Sequence, residues 1–363
     1  MMKRTLLFTI LIPLFALQWS ACSKSVKTET EPEVKNVILM IGDGMGVSQV
    51  YAALTANMGK LELERSQYVG FSKTYSADKY ITDSAAGGTA IACGVKTNNG
   101  SIGLDADGNP AKSLLEYAQE NQMLTGVVVS CDVTHATPAA FVAHQANRNM
   151  VEEIAQDFAN SELDVFIGGG KSRFDNRADS VNLLDQLTEK DFQIAFTMEE
   201  AQKVTSGKLA ALLAEEHPAQ YPERGELLPE GVQLAIDLMK DSEKGFCLMV
   251  EGSQIDWGGH ANDTEYINKE MLDFDRAIKV AFDYADQDPH TLVIITADHE
   301  TGGMAIVGGD FETGEVKASY VTGGHSAVMV PVFAYGAQAG KFSGIYENTD
   351  ILSKILELYG IER

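Results

Sequence analysis

The chain has 363 residues, 45% of them hydrophobic and 22% charged, which is enough apolar content to bury a large core and rules out an extended disordered protein. Lys and Arg number 28 against 52 Asp and Glu, giving a formal net charge of −24 at pH 7. A surface of that sign repels a polyanion, and no basic cluster interrupts it, so the composition argues against nucleic-acid-specific binding.

Residues 1–22 read MMKRTLLFTILIPLFALQWSAC, a basic Lys3-Arg4 opening and then an apolar stretch too short for a comfortable membrane span. This is the pattern of an export signal. Cys22, directly after Ser20 and Ala21, resembles a bacterial lipoprotein processing site, with Trp19 where Leu is commoner. The expected location is therefore the periplasm, or the outer membrane or surface of a bacterium with a lipid on Cys22. Residues 23–35 are polar and read as a tether, leaving 36–363 as a single α/β domain. Of the remaining cysteines, Cys93, Cys131 and Cys247 are odd in number, lack Cys-x-x-Cys spacing and read as buried free thiols.

Beyond the tether, strand-like apolar runs at 37–41, 126–131, 164–167, 246–250 and 291–296 alternate with helical patterns at Ala111–Asn121, Met150–Asn160, Gly231–Lys240 and Asn268–Asp286. The alternation predicts an α/β fold, a central, mostly parallel sheet with helices on both faces. From about residue 171 to 230 the pattern weakens into Gly-, Pro- and charge-rich sequence, read as an inserted cap region beside the sheet. Ala305–Val307 and Gly314–Val316 flank a turn signal and predict a hairpin, and Val328–Tyr335 predicts a further strand.

Four of the apolar runs end in the same way. NVILMIGDGMG delivers Asp43; GVVVSCDVTHATPAAF opens into Asp132, Thr134, His135 and Thr137; GFCLMVEGSQIDWGGH opens into Glu251, Asp256 and His260; TLVIITADHETGG ends in Asp298 and His299. A buried strand that delivers a carboxylate at its C-terminal tip is building a site, because an unpaired buried charge is too costly. A bound cation compensates it most simply. In an open parallel sheet, ligands collect outside the carboxyl ends of the strands, so these distant segments can converge on one polynuclear metal site.

Asp256 and His260 are one helical turn apart and can share a face. His325, in VTGGHSA, precedes a strand instead of following one. His144, His217 and His290 have no neighbouring ligands and read as structural or surface residues. In TDSAAGGTAIACG, Ser84 begins a helical pattern, so its hydroxyl can sit at a helix N-terminus, where free N–H groups favour an anion; the plain alternative is that Asp83 or Ser84 only caps the helix. Mixed His and carboxylate ligands suit Zn²⁺, whereas Asp, Glu and Thr oxygens suit Mg²⁺.

The strings IGDGMG, TDSAAGGTA, HATPAAFVAHQANR, VEGSQIDWGGH, TADHETGG and GGHSA, in this order, resemble the alkaline phosphatases over roughly residues 35 to 340. The resemblance implies hydrolysis of phosphate monoesters at alkaline pH through a phosphoserine on Ser84, with Arg148 clamping the phosphate. It implies two Zn²⁺ and one Mg²⁺. The first zinc falls to Asp256, His260 and His325, the second to Asp43, Asp298 and His299, and magnesium to Asp43, Thr137 and Glu251. It also implies a homodimer.

Beside these ligands stand His135, where the best-known bacterial members have Asp, and Trp257, where they have Lys; His135 leaves the third site open between Mg²⁺ and Zn²⁺ or Co²⁺. The alternatives are a phosphodiesterase or metal-dependent phosphoglycerate mutase of the same superfamily, or a non-catalytic lipoprotein that binds metal or phosphate. A sulfatase would need a Cys- or Ser-x-Pro-x-Arg segment, which the sequence lacks.

Overall fold

The computed structural model describes residues 32–363, so the export segment and Cys22 lie outside the described residues. The strands, in chain order, are β1 (Asn36–Gly42), β2 (Tyr68–Lys73), β3 (Leu124–Asp132), β4 (Val165–Gly169), β5 (Phe192–Ala195), β6 (Lys208–Leu212), β7 (Phe246–Gly252), β8 (Thr291–Thr296), β9 (Glu300–Thr301), β10 (Met304–Asp310), β11 (Glu315–Tyr320), β12 (His325–Ser326), β13 (Val330–Gly336) and β14 (Gly344–Glu347). Ten of them form one sheet in the order β14-β2-β13-β8-β1-β7-β3-β4-β6-β5. Within it only β13 runs antiparallel to its neighbours, β2 and β8.

The β1 sequence shows why the sheet is covered on both faces. Val37, Leu39 and Ile41 join one core, with Ile91, Ile154 and Phe158 from the helices Ser84–Cys93 and Val151–Asn160. Ile38 and Met40 join the other, with Ile236, Phe274 and Phe282 from the helices Leu227–Met239 and Thr264–Gln287. The period of two in a strand turns one apolar run into two buried faces.

The four strands whose C-terminal ends carry acidic and imidazole residues, β8, β1, β7 and β3, are neighbours at the centre of the sheet. Their register aligns the tips: Ile41 pairs with Glu251 on one side and Thr296 on the other, and Val129 pairs with Glu251 from β3. The expected hairpin is present as β10 and β11, and β12 pairs with β9 to bring His325 beside Thr301.

The stretch 171–230, expected beside the sheet, lies partly within it: β6 pairs parallel with β4 and β5 with β6, extending the edge. Its remaining loop is fixed over the Thr264–Gln287 helix by Arg224, which bonds Glu270 and Asp273 at 2.6 and 2.7 Å with all three side chains almost fully buried. No helix among the described residues is long and apolar enough to cross a membrane.

Candidate metal centre and nucleophile

Asp43 follows β1 on a chain that must turn at once. Gly44 has φ +75°, and a Cβ there would lie 2.8 Å from Asp256 Cα and from Thr301 Oγ1, so only glycine lets these segments close up. Its N–H donates to Asp298 Oδ1 at 3.2 Å, joining the β1 and β8 tips. The Ser84–Cys93 helix is buried throughout and equally close: a Cβ on Gly87 would meet Asp298 at 3.0 Å. Asp83 is its N-cap and accepts from the Ala86 N–H at 3.0 Å, which leaves Ser84 as the first helical residue. Asp83 therefore caps the helix, and the Ser84 hydroxyl is left facing His299 Nε2.

His299 is fully buried and sits at the centre of the cluster. Its Nε2 is 3.2 Å from Ser84 Oγ, 3.1 Å from Asp298 Oδ2 and 3.5 Å from Asp43 Oδ1, while Nδ1 lies 3.2 Å from Thr301 Oγ1. Burial first, and then the neighbouring His325, hold it well below the ordinary imidazole range, so it is a neutral ring with Nε2 turned to the site.

The second group stacks on the first. His325 lies over His299 with centroids 3.6 Å apart. His325 Nδ1 donates to the Thr82 carbonyl at 2.8 Å, and His260 Nδ1 to the Gly323 carbonyl at 2.7 Å. The two Nε2 atoms therefore face each other at 3.2 Å, with Asp256 oxygens 3.3 Å from His260 and 3.5 Å from His325. Two nitrogens held this way, each with its other N–H engaged by a carbonyl, form the arrangement of a divalent metal site.

Buried polar atoms without a partner mark the third group: both carboxylate oxygens of Asp43, Thr137 Oγ1, Glu251 Oε1, His135 Nδ1 and Asp298 Oδ2. The other Glu251 oxygen is taken by Ser253 Oγ at 2.5 Å and Cys131 Sγ at 3.4 Å, which turns Oε1 inward. Buried polar atoms without partners are rare in folded proteins, and six of the fourteen among the described residues lie at these positions. Burial pushes Asp298 up to about 6, Glu251 up to about 7 and Asp43 well above the carboxylate range, with the neighbouring carboxylates adding to the effect. Acids held this way await a cation.

Arg148 reaches the same place from the loop before the Val151–Asn160 helix. Its Nη1 is 3.3 Å from Asp83 Oδ2 and its Nη2 is 3.3 Å from His135 Nε2. Trp257 packs edge-on against His135 at 6.2 Å between centroids. The structure thus brings together Asp43, Ser84, His135, Thr137, Arg148, Glu251, Asp256, Trp257, His260, Asp298, His299 and His325. Asp132 and Thr134, at the β3 tip, stay out of the cluster because Asp132 Oδ1 accepts both the Thr134 N–H and its hydroxyl at 2.8 Å.

Sequence reasoning passed over Thr301, whose hydroxyl joins Asp256 to His299, and Ser253, which fixes Glu251. It also left His217 among structural or surface residues. That ring is exposed, yet it lies 4.8 Å from Trp257 and 5.7 Å from His135. The only sequence signal for Thr301 and Ser253 was their place within two or three residues of a ligand. His217 gave none, lying on a weakly patterned loop.

Comparison with known proteins agrees with this geometry. The sequence model of the alkaline phosphatase family matches residues 34–319. Alkaline phosphatase 4 of Bacillus subtilis is 40% identical over 78% of this chain, an alignment that takes in 65% of that relative's length. Alkaline phosphatase 3 of the same organism is 32% identical over 93% of this chain and 91% of its own. The alkaline phosphatase from the Antarctic bacterium TAB5 superposes with a TM-score of 0.88 at 42% identity, covering 92% of this chain and 100% of that one. A histidine-to-aspartate variant of the TAB5 enzyme with Mg bound in its M3 site superposes with the same TM-score at 40% identity and the same coverage. With its motifs convergent, most of its length matched by the family model and the fold shared over 92% of its residues, the chain belongs to the alkaline phosphatase family.

Proposed function

We propose that this chain hydrolyses phosphate monoesters to an alcohol and inorganic phosphate at alkaline pH, with Ser84 accepting the phosphoryl group. The observation that carries the reading is a hydroxyl at a helix N-terminus set beside a cluster of unpartnered carboxylate and imidazole atoms. Asp256, His260 and His325, and likewise Asp43, Asp298 and His299, are nitrogen and oxygen sets suited to Zn²⁺. Asp43, Thr137 and Glu251 offer oxygens suited to Mg²⁺; His135 Nδ1 adds a nitrogen ligand that draws the site towards Zn²⁺ or Co²⁺ only when the ring proton lies on Nε2, which requires Arg148 to turn from His135 to the phosphate. In the TAB5 variant an aspartate replaces a histidine and Mg is bound; His135→Asp would remove the competing nitrogen here in the same way. When bound, such ions supply the positive charge that lowers the cost of ionising Ser84 and of charge on the attacking and departing oxygens.

The protein groups then divide the work. Arg148, held by Asp83, presents a planar fork to two phosphate oxygens. Of the first-turn N–H groups, that of Ala86 is taken by the Asp83 side chain, and the turn beside Ser84 adds its partial positive charge to the phosphate. Ser84 Oγ loses its proton to solvent and attacks phosphorus, the P–O ester bond breaks, and the departing oxygen takes a proton from solvent to become the alcohol. Water then attacks the phosphoserine, the Oγ–P bond breaks, and one proton of that water restores the Ser84 hydroxyl as phosphate leaves. Higher pH favours the ionised hydroxyl, hence the alkaline optimum.

Ser84→Ala decides the assignment. Turnover of a phosphate monoester should fall by ~10³-fold or more with metal content unchanged, and a variant of full activity refutes the nucleophile. The pattern of residues 1–22 supports export with a lipid on Cys22; a Cys22→Ala protein that still fractionates with membranes would refute the anchor. The homodimer rests on the family resemblance, and a monomer by light scattering would count against it.

A further inference from the structure

Beside Arg148 and His135 lies a cavity of about 200 Å³ lined by these two and by Asn149, Arg173, His217 and Asp132. Two guanidinium groups and two imidazoles meeting in one hollow is unusual for a chain with 28 basic against 52 acidic residues. Arg173 and His217 both come from the stretch 171–230, which has no part in the phosphomonoesterase reading.

The walls of this hollow offer donors with no protein acceptor. Arg173 gives Nε to Asp132 Oδ2 at 3.2 Å and Nη2 to Glu216 at 3.4 Å, a carboxylate whose side chain is 65% exposed; among the described residues its Nη1 has no acceptor. His217 Nδ1 accepts the Asp132 N–H at 3.0 Å, so the ring proton sits on Nε2, which also has no acceptor among the described residues. Asp132, the one carboxylate of the wall, is already saturated by the Thr134 N–H and hydroxyl and by Arg173.

The arrangement is held in place. A Cβ on Gly170, where φ is +96°, would lie 2.1 Å from Asp132 Oδ1, so backbone fits tightly against the carboxylate that holds Arg173. Gln254 Nε2 donates to the Ser130 carbonyl at 2.8 Å and the Pro218 carbonyl at 3.0 Å, anchoring the loop beside His217 to β3. A hollow lined by two guanidinium groups and two imidazoles, with its only carboxylate satisfied, fits a small, multiply charged anion.

We propose that this cavity is a second anion subsite that selects phosphate monoesters carrying a second phosphoryl group, with one phosphate under Arg148 at Ser84 and the other between Arg173 and His217. It rests on the monoesterase reading above, which it deepens by naming the substrate class. Arg148 borders both places and is the bridge between them.

The test compares the bisphosphates of straight-chain diols of increasing length with their monophosphates on the metal-loaded enzyme. At the best length, kcat/KM for the bisphosphate should exceed that for the monophosphate by about tenfold, beyond the doubling that a second identical end gives by counting. Arg173→Gln should bring the ratio back towards parity. Glu216→Ala, at an exposed position, should raise it by removing the acceptor of Nη2, and it decides the matter should the Arg173 variant fail to fold. Parity at every length in the wild type, or a ratio that neither substitution moves, overturns the subsite. Hydrolysis of neither substrate would instead sink the monoesterase reading.

Discussion

Trp257 shows what one residue can change without touching the ligand set. It packs against His135 and His217 at 6.2 and 4.8 Å between ring centroids, and His135 in turn bonds Arg148, so a lysine here would add a cation beside the proposed phosphate clamp. An aromatic ring holds the product less tightly, because a cation in a partly desolvated site attracts a dianion more strongly than a neutral ring does. Trp257→Lys should therefore strengthen inhibition by inorganic phosphate by ~5-fold or more, a shift of about 1 kcal/mol, and an unchanged inhibition constant would remove Trp257 from any part in product release. Single residues of this kind were readable in the sequence because they sit inside motifs. Thr301 was not, since its importance lies in bonding Asp256 and His299 at once, which no spacing reveals.

Elements are tied together around the Ser84–Cys93 helix by a charge pair that includes none of the candidate metal ligands. His144 donates Nδ1 to the Gly103 carbonyl at 2.7 Å and Nε2 to Glu116 Oε1 at 3.0 Å, and its N–H meets Asp157 Oδ2 at 3.3 Å. This joins the loop after the Ser84–Cys93 helix to the Leu114–Glu120 and Val151–Asn160 helices. The hydrogen bond to Glu116 raises the His144 pKa; Glu116, although burial pushes it up, ends lowered by His144 and the Ser113 N–H. A raised histidine adds stability that is complete below its unfolded pKa and is lost as pH rises through the folded one. A lowered glutamate adds stability that is present above its unfolded pKa and fades as pH falls through the folded one. The pair is thus fully effective from above the ordinary glutamate range to just below the ordinary histidine range. His144→Asn should cost ~1 kcal/mol near pH 6 and less near pH 9, read from thermal unfolding. A cost that does not shrink on the alkaline side would show that packing, not charge, holds the junction.

Legibility at this scale followed burial. The strands at the sheet centre were evident as apolar runs, while β2, β5, β6 and β14 were missed. β2 is half exposed, with Tyr68, Val69 and Lys73 in solvent, and β5 and β14 have four residues each, so none makes a run that stands out. β6 is apolar but lies within charged and Gly-rich sequence that masks it. The loop carrying His217 and Arg224 was opaque for a related reason: its contacts run to Asp132, Glu270 and Asp273, distant in sequence and without any periodic signature.

For the whole molecule, the centre of the sheet is a set of acids that the fold alone does not neutralise. Asp43, Glu251 and Asp298 are fully buried, and burial raises all three, Asp298 to about 6 and Glu251 to about 7. In the metal-free protein, a carboxylate with a raised folded pKa supports the fold below its unfolded pKa and works against it as pH climbs through the folded value. Stripping the metals should therefore hurt little near pH 4.5 and most above about pH 7.5, where these acids must ionise without a partner. Ions that bind the native chain alone add RT ln(1 + [L]/Kd), ~3–4 kcal/mol for each site held several hundredfold above its dissociation constant. Chelation at about pH 8.5 should thus lower Tm by several degrees or more, with recovery on adding Zn²⁺ and Mg²⁺. The gap between loaded and stripped protein should narrow steadily towards acid, both because the acids can then take protons and because protons compete with metal for the same imidazoles. A gap that stayed constant across this range would mean that the buried carboxylates are neutralised by something other than the ions they were built to hold.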